Sequence, residues 1–196
     1  MAQTTRFTHR HLPHWEVAHG RYFVTVRCAD SLPRDALLRI GELVQSMRLI
    51  TPHSSQYAAF QKEVFRTQEK YLDSGFGRCP LRCPDSARIV NDELTALSDW
   101  EVSAPHFTIM PNHWHALIIP DRDRPRTLSS IMKRIKGRTA SRIRSSIGGS
   151  GPFWQREWFD HWIRHDAEWD KCVAYIRNNP VKARLVSAWS DHPWTR

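Results

Sequence analysis

An α+β fold, an antiparallel sheet with helices packed mainly on one face, is what this 196-residue chain predicts. Three observations carry that expectation. Short runs rich in aromatic and β-branched residues lie early and late in the chain. Between them run longer stretches with apolar residues every three or four positions. Clusters of Gly and Pro separate the two kinds. Strands, then helices, then strands again favour helices laid against an antiparallel sheet.

Tyr22, Phe23, Val24 and Thr25 place a strand at 22–27. Leu37, Ile40, Leu43, Val44 and Met47 share one helical face over 34–49, and a second amphipathic helix is expected over 55–72. Gly75, Gly77, Pro80 and Pro84 mark an irregular segment before a helix at 85–98 that carries Ala87, Val90, Leu94 and Leu97. Residues 101–110 and 114–119 read as a strand pair joined at Pro111-Asn112, because a proline cannot donate to a central ladder. A long helix at 127–147 turns Leu128, Ile131, Ile135, Ile143 and Ile147 inward and stops at Gly148-Gly149-Ser150-Gly151-Pro152. A last strand is expected at 153–163, where Trp154, Arg156 and Trp158 alternate. A last helix follows at 166–178, with Asn178 as its cap and Pro180 as its stop.

No internal repeat or low-complexity linker appears, so one domain over 1–196 is expected, with a core at about 20–180 and a tail at 181–196. That tail, rich in Trp, His and Arg, reads equally as a lid, a nucleic-acid contact, a last strand or packed coil. Lys and Arg number 29 against 20 Asp and Glu, a net charge of +9 that favours an acidic partner. The excess is local. Nine basic residues and one acidic residue lie between Arg122 and Arg144. Arg134, Arg138 and Arg142 fall at every fourth position, and with Lys133, Lys136 and Arg144 they suggest a phosphate-tracking helix face.

No apolar run approaches the roughly 20 residues that span a bilayer, and Met1 to Arg10 is polar, so a cytoplasmic protein is expected. Its four cysteines then read as thiols. Cys79 and Cys83 form a CxxxC pair with no second pair at finger spacing, which argues against a zinc module.

The chemistry concentrates in two short segments. His113 and His115 sit two apart in an expected strand and so project to one face. Tyr175 and Asn179 sit four apart in an expected helix and also share a face. Two imidazoles and an amide oxygen can hold one divalent cation, with a phenol beside it as nucleophile. Trp114 must then point away, into the core. No carboxylate stands out as general base.

The residues around these four give a closer resemblance. Met110-Pro111-Asn112-His113-Trp114-His115 resembles the signature of the single-tyrosine HUH nucleases. Tyr175-Ile176-Arg177-Asn178-Asn179-Pro180-Val181-Lys182-Ala183 resembles the corresponding segment of the REP-associated tyrosine transposases. Similarity extends through Leu12-Pro13-His14-Trp15, Tyr22-Phe23-Val24-Thr25, Asp30-Ser31-Leu32-Pro33 and Phe153-Trp154-Gln155-Arg156-Glu157. One departure is Arg184, where that family has Gly, which puts the local turn in question.

The resemblance implies a ferredoxin-like HUH nuclease fold, with Tyr175 as nucleophile and His113, His115 and Asn179 as ligands of Mg²⁺ or Mn²⁺. It also implies a single-stranded or hairpin DNA substrate and a 5′-phosphotyrosine intermediate. No protein partner is evident, and either a monomer or a homodimer is compatible. The competing expectation is a domesticated protein that binds DNA hairpins without cutting them.

Overall fold

The computed structural model describes residues 4–9, 12–52 and 54–196, so part of the polar N-terminal segment (Met1–Gln3 and Arg10) lies outside the described residues. Two strands, β1 (Thr4–His9) and β2 (Pro13–Val17), form an antiparallel hairpin. The main sheet holds β3 (Arg21–Arg27), β4 (Val102–Ser103), β5 (Phe107–Met110), β6 (His113–Pro120) and β7 (Phe159–Ile163), all antiparallel. Strands β3 and β6 are central. Strand β7 flanks β3, and both β5 and β4 pair with the far side of β6.

The 101–110 strand is therefore broken in two around Ala104-Pro105-His106, where proline interrupts the ladder. Its turn into β6 is the expected Pro111-Asn112, and Cys28 and Leu81 donate their amides to the Asn112 and Pro111 carbonyls at 2.8 and 3.0 Å.

The helices are α1 (Arg34–Arg48), α2 (Ser55–Asp73), α3 (Pro84–Thr95), α4 (Leu128–Ile147) and α5 (Asp166–Lys182). Cross-strand register puts Tyr22, Val24, Val26, Trp114, Ala116 and Ile118 on one face of the sheet. They join the main core, to which α1, α2, α3 and α4 all contribute. Phe23 and Leu117 lie on the opposite face and pack with Ile163 and Ile176 under α5, with Phe65 of α2 against them. Trp114 is fully buried on the first face, as the period-two pattern of its strand requires. Helix α4 starts at a Thr127 cap, and Glu16 of β2 accepts the amides of Leu128 and Ser129 at 2.9 and 3.1 Å.

Several local expectations change. Only Phe159–Ile163 of the 153–163 segment is regular strand, and Trp154 makes an isolated bridge to Cys28. Alternation fails there because consecutive Glu157 and Trp158 both turn inward, onto His14. Helix α5 does not stop before Pro180. It runs through it to Lys182, and Asn178 is exposed and caps nothing. A proline in the last turn forfeits one helical bond. Here the amides of Arg184 and Leu185 close the end on the carbonyls of Val181 and Pro180, both at 2.9 Å, in a Schellman motif. Arg184 takes φ +56, the left-handed conformation that a glycine would adopt without strain.

The tail is neither lid nor free coil at its end. Ile109 donates to the Trp194 carbonyl at 3.0 Å and Arg196 to that of Phe107 at 2.9 Å, so the last residues cover the open edge of β5.

Candidate active site

His113 and His115 open the central strand β6, project to the α5 face and are fully buried. Their outward nitrogens are spoken for. Asn112 donates its amide to the Phe76 carbonyl at 2.9 Å, which leaves its Oδ1 to accept from His113 Nδ1 at 2.7 Å. His115 Nδ1 bonds the Thr25 hydroxyl at 2.8 Å across the strand pair. The two Nε2 atoms are left facing each other at 3.0 Å. Burial holds both imidazoles neutral, His113 at about 3 and His115 well below its ordinary range, the latter also disfavoured as a cation by His113 and Lys182.

Tyr175 stands over this pair from α5. Its ring meets the His115 ring edge-on at 5.3 Å between centroids and also touches Phe23 and Phe65. Its hydroxyl donates to Glu69 Oε2 of α2. That same oxygen lies 3.7 Å from His115 Nε2. Burial, reinforced by Asp73 and opposed by Lys182, pushes the Glu69 carboxyl up to about 8. One turn further along α2 and two turns further along α5, Lys182 Nζ pairs with Asp73 Oδ2 at 2.5 Å. Helices α2 and α5 are thus joined by two polar rungs, one of which ends at the phenol.

Asn179 shares the Tyr175 face of α5. It is 1% exposed, and neither its amide nitrogen nor its amide oxygen has a hydrogen-bond partner among the described residues. A buried primary amide left unbonded costs about 1–3 kcal/mol, so it is kept for a reason other than stability.

The donor set suits a divalent cation. Two ligands about 2.1 Å from one ion and at right angles to each other are separated by about 3.0 Å, the spacing of the two Nε2 atoms. Both rings are neutral, as ligation requires. The Asn112 contact fixes the His113 tautomer that leaves Nε2 bare. Among the described residues no three His, Cys, Asp or Glu side chains form a group that could hold a metal ion.

Beside Tyr175 opens a cleft of about 390 Å³ between α2, α5 and β7. Phe23, Phe65 and Phe159 floor it, and Lys62, Arg164 and Lys171 bring positive charge to it. None of these stood out in the sequence, because each belongs to an ordinary amphipathic pattern.

The basic face of α4 is placed differently from expectation. Arg134 and Arg138 both pair with Glu93 of α3, at 3.2 and 2.9 Å, and Glu93 is only 2% exposed. Arg142 lies 4.0 Å from Asp92, and Lys136 donates to the Arg156 carbonyl at 2.6 Å. Arg134 and Arg126 also cover the Trp100 ring. The fourfold repeat thus pairs with α3, with Arg138 and Arg142 still exposed, whereas Lys133 and Arg144 of the same set are exposed and have no ion-pair partner among the described residues.

The fold and this segment resemble those of the IS200-like transposases. A family model described as "Transposase IS200 like" matches residues 89–179, from α3 to Asn179. More narrowly, the expected likeness to the REP-associated tyrosine transposases is borne out at the level of the fold. The chain is similar to the solved structure of such a transposase bound to a REP hairpin, with a TM-score of 0.54. Identity is 18%, over 93% of this chain and 79% of that one, so what the two share is the fold. An uncharacterized protein of Haemophilus influenzae (strain ATCC 51907 / DSM 11121 / KW20 / Rd) is 28% identical over 101 residues, 41% of this chain. The match spans 56% of that relative's length, little more than half. No helix among the described residues is long and apolar enough to cross a membrane.

Proposed function

We infer that the protein is a metal-dependent endonuclease and strand transferase for single-stranded DNA, acting on palindromic hairpins of the REP type. The observation that carries this is the seating of Tyr175 on the His115 ring, with an unbonded, buried Asn179 one turn beyond it. A phenol, two bare imidazole nitrogens and an orphan amide are a costly arrangement for a protein that only binds.

Tyr175 Oη attacks a backbone phosphorus. The Oη–P bond forms as the P–O3′ bond breaks, leaving a 5′-phosphotyrosyl protein and a 3′-hydroxyl that takes up the proton lost by the phenol. A second 3′-hydroxyl reverses the step and reseals or exchanges strands without an external energy source. His113, His115 and Asn179 would hold Mg²⁺ or Mn²⁺, which when bound supplies Lewis-acid charge for the non-bridging oxygens. Glu69 holds the hydroxyl toward the imidazoles and is the nearest acceptor for its proton. The cleft lined by Lys62, Arg164 and Lys171 takes the strand up to Tyr175.

The test uses labelled single-stranded hairpins from the DNA flanking the gene, with Mg²⁺ or Mn²⁺, on a denaturing gel. Cleavage is expected, and is expected to vanish with EDTA and in Tyr175→Phe. Tight binding with no cleavage under either metal would instead favour a hairpin-binding protein.

A further inference from the structure

A second cavity, of about 210 Å³, lies between α1, α2 and β3 on the same sheet face as the histidines. Arg27 and Thr25 line it from β3, where they stand opposite His113 and His115. Arg27 is 6% exposed, yet its guanidinium makes one long contact, 3.5 Å to the Ser31 hydroxyl, and meets no carboxylate among the described residues. A buried guanidinium left this short of acceptors is costly unless a ligand supplies them. Glu157 lines the same cavity but is engaged with His14 at 2.9 Å.

The other walls describe the ligand. Leu12, Ile40, Val44, Trp158 and Phe159 are apolar, Gln45, Gln68 and Gln155 offer amides, and Arg48, which is exposed, adds a second guanidinium. Apolar walls with a few fixed donors suit a flat heterocycle with a polar edge and suit a hydrated phosphate poorly. At about 30 Å³ per water the cavity holds about seven waters, room for one aromatic bicycle.

Gly41 gives an independent sign. It sits inside α1, where glycine weakens a helix, and a Cβ there would meet nothing within 4 Å. No neighbour demands a glycine, but Gly41 lines the cavity, and its lack of a side chain leaves that stretch of the wall open.

We propose that this cavity binds one unpaired nucleobase of the DNA strand, a guanine, with Arg27 donating to its O6 and N7 edge. The proposal rests on the single-strand DNA reading above and adds a base-specific site to it. Such a site would hold the strand in one register relative to Tyr175.

The probe is a set of fluorescein-labelled thymidine nonamers carrying one central dG, dA or dC, or none, titrated with the full-length protein by anisotropy. The dG nonamer is expected to bind about tenfold tighter than the all-thymidine one. Arg27→Lys keeps the charge but loses the fork, and is expected to bring dG down to the all-thymidine level. Gly41→Leu, a better helix former that blocks the cavity, is expected to do the same, with all-thymidine binding unchanged in both. Binding of every nonamer without a dG preference, or a preference that survives Gly41→Leu, would overturn the base site alone. Binding of no nonamer would bring down the single-strand reading and the base site together.

Discussion

Tyr175 donates its hydroxyl to Glu69, a residue 106 positions earlier, and the same carboxylate oxygen stands 3.7 Å from His115 Nε2. One side chain of α2 thus holds the proposed nucleophile at the imidazole pair. Glu69→Gln keeps the size and a hydrogen-bonding edge but loses a group that can ionise and take up the phenol proton. Its cleavage rate is expected to fall about 100-fold with hairpin affinity unchanged, as single-turnover and binding assays on the same oligonucleotide would show. An unchanged rate would leave Glu69 a packing residue.

Asn179 predicts an opposition between stability and ligation. Asn179→Leu removes an unbonded buried amide and is expected to raise metal-free stability by about 1 kcal/mol in urea unfolding. In the native protein, Mn²⁺ at about 100 times its Kd should add about 2.7 kcal/mol. That increment is expected to vanish in Asn179→Leu and in His113→Ala. Full retention of it in both would place the cation elsewhere.

His14 ties β2 to the segment entering β7. Both its ring nitrogens donate to buried carboxylates, Nδ1 to Asp160 and Nε2 to Glu157 at 2.9 Å. Burial alone would lower its pKa, but the bonds to Asp160 and Glu157 outweigh it and hold His14 at about 9, against 6.5 when unfolded. A group with a raised folded pKa contributes in full below its unfolded value. That stability, on the order of 3 kcal/mol, is expected to be lost as the pH rises from 6.5 through 9. Urea midpoints at pH 6 and 9.5 measure it, and His14→Gln should flatten the difference while weakening the fold at pH 6.

Arg184 sits in the left-handed region at the close of α5, where its exposed side chain brings nothing to offset the strain. Arg184→Gly is expected to stabilise by about 1 kcal/mol, raising the thermal midpoint without affecting cleavage.

The basic face of α4 divides by partner. Arg134→Ala leaves buried Glu93 with one cation in place of two and is expected to cost about 1–2 kcal/mol of stability with little effect on DNA affinity. Exposed Lys133 and Arg144 are the ones whose removal should lower the salt dependence of binding, by about 1 in slope for each phosphate no longer neutralised. Equal drops in affinity at all three positions would contradict the division.

What could be read beforehand, and what could not, follows from range. His113 with His115, and Tyr175 with Asn179, were legible because each pair obeys the period of its own element. Glu69 was not, since Gln68-Glu69-Lys70 looks like any solvated helix face until α5 packs on it. The ion pairs of the arginine stripe were hidden for the same reason: its carboxylate partners, Asp92 and Glu93, lie more than forty residues away on α3. Pro180 was read as a stop on local grounds, whereas burial of Ile176 and Pro180 and the Schellman closure carry the helix past it. Arg27 resembled any strand arginine, and its shortage of acceptors became visible only with the walls around it.

The most direct test is to incubate the protein with a hairpin oligonucleotide and Mn²⁺, denature it, digest with trypsin and sequence the nucleotide-bearing peptide by mass spectrometry. A 5′-phosphonucleotide on Tyr175, absent in Tyr175→Phe, is the predicted result. Cleaved DNA with no adduct, or an adduct on another residue, would contradict Tyr175 as the nucleophile.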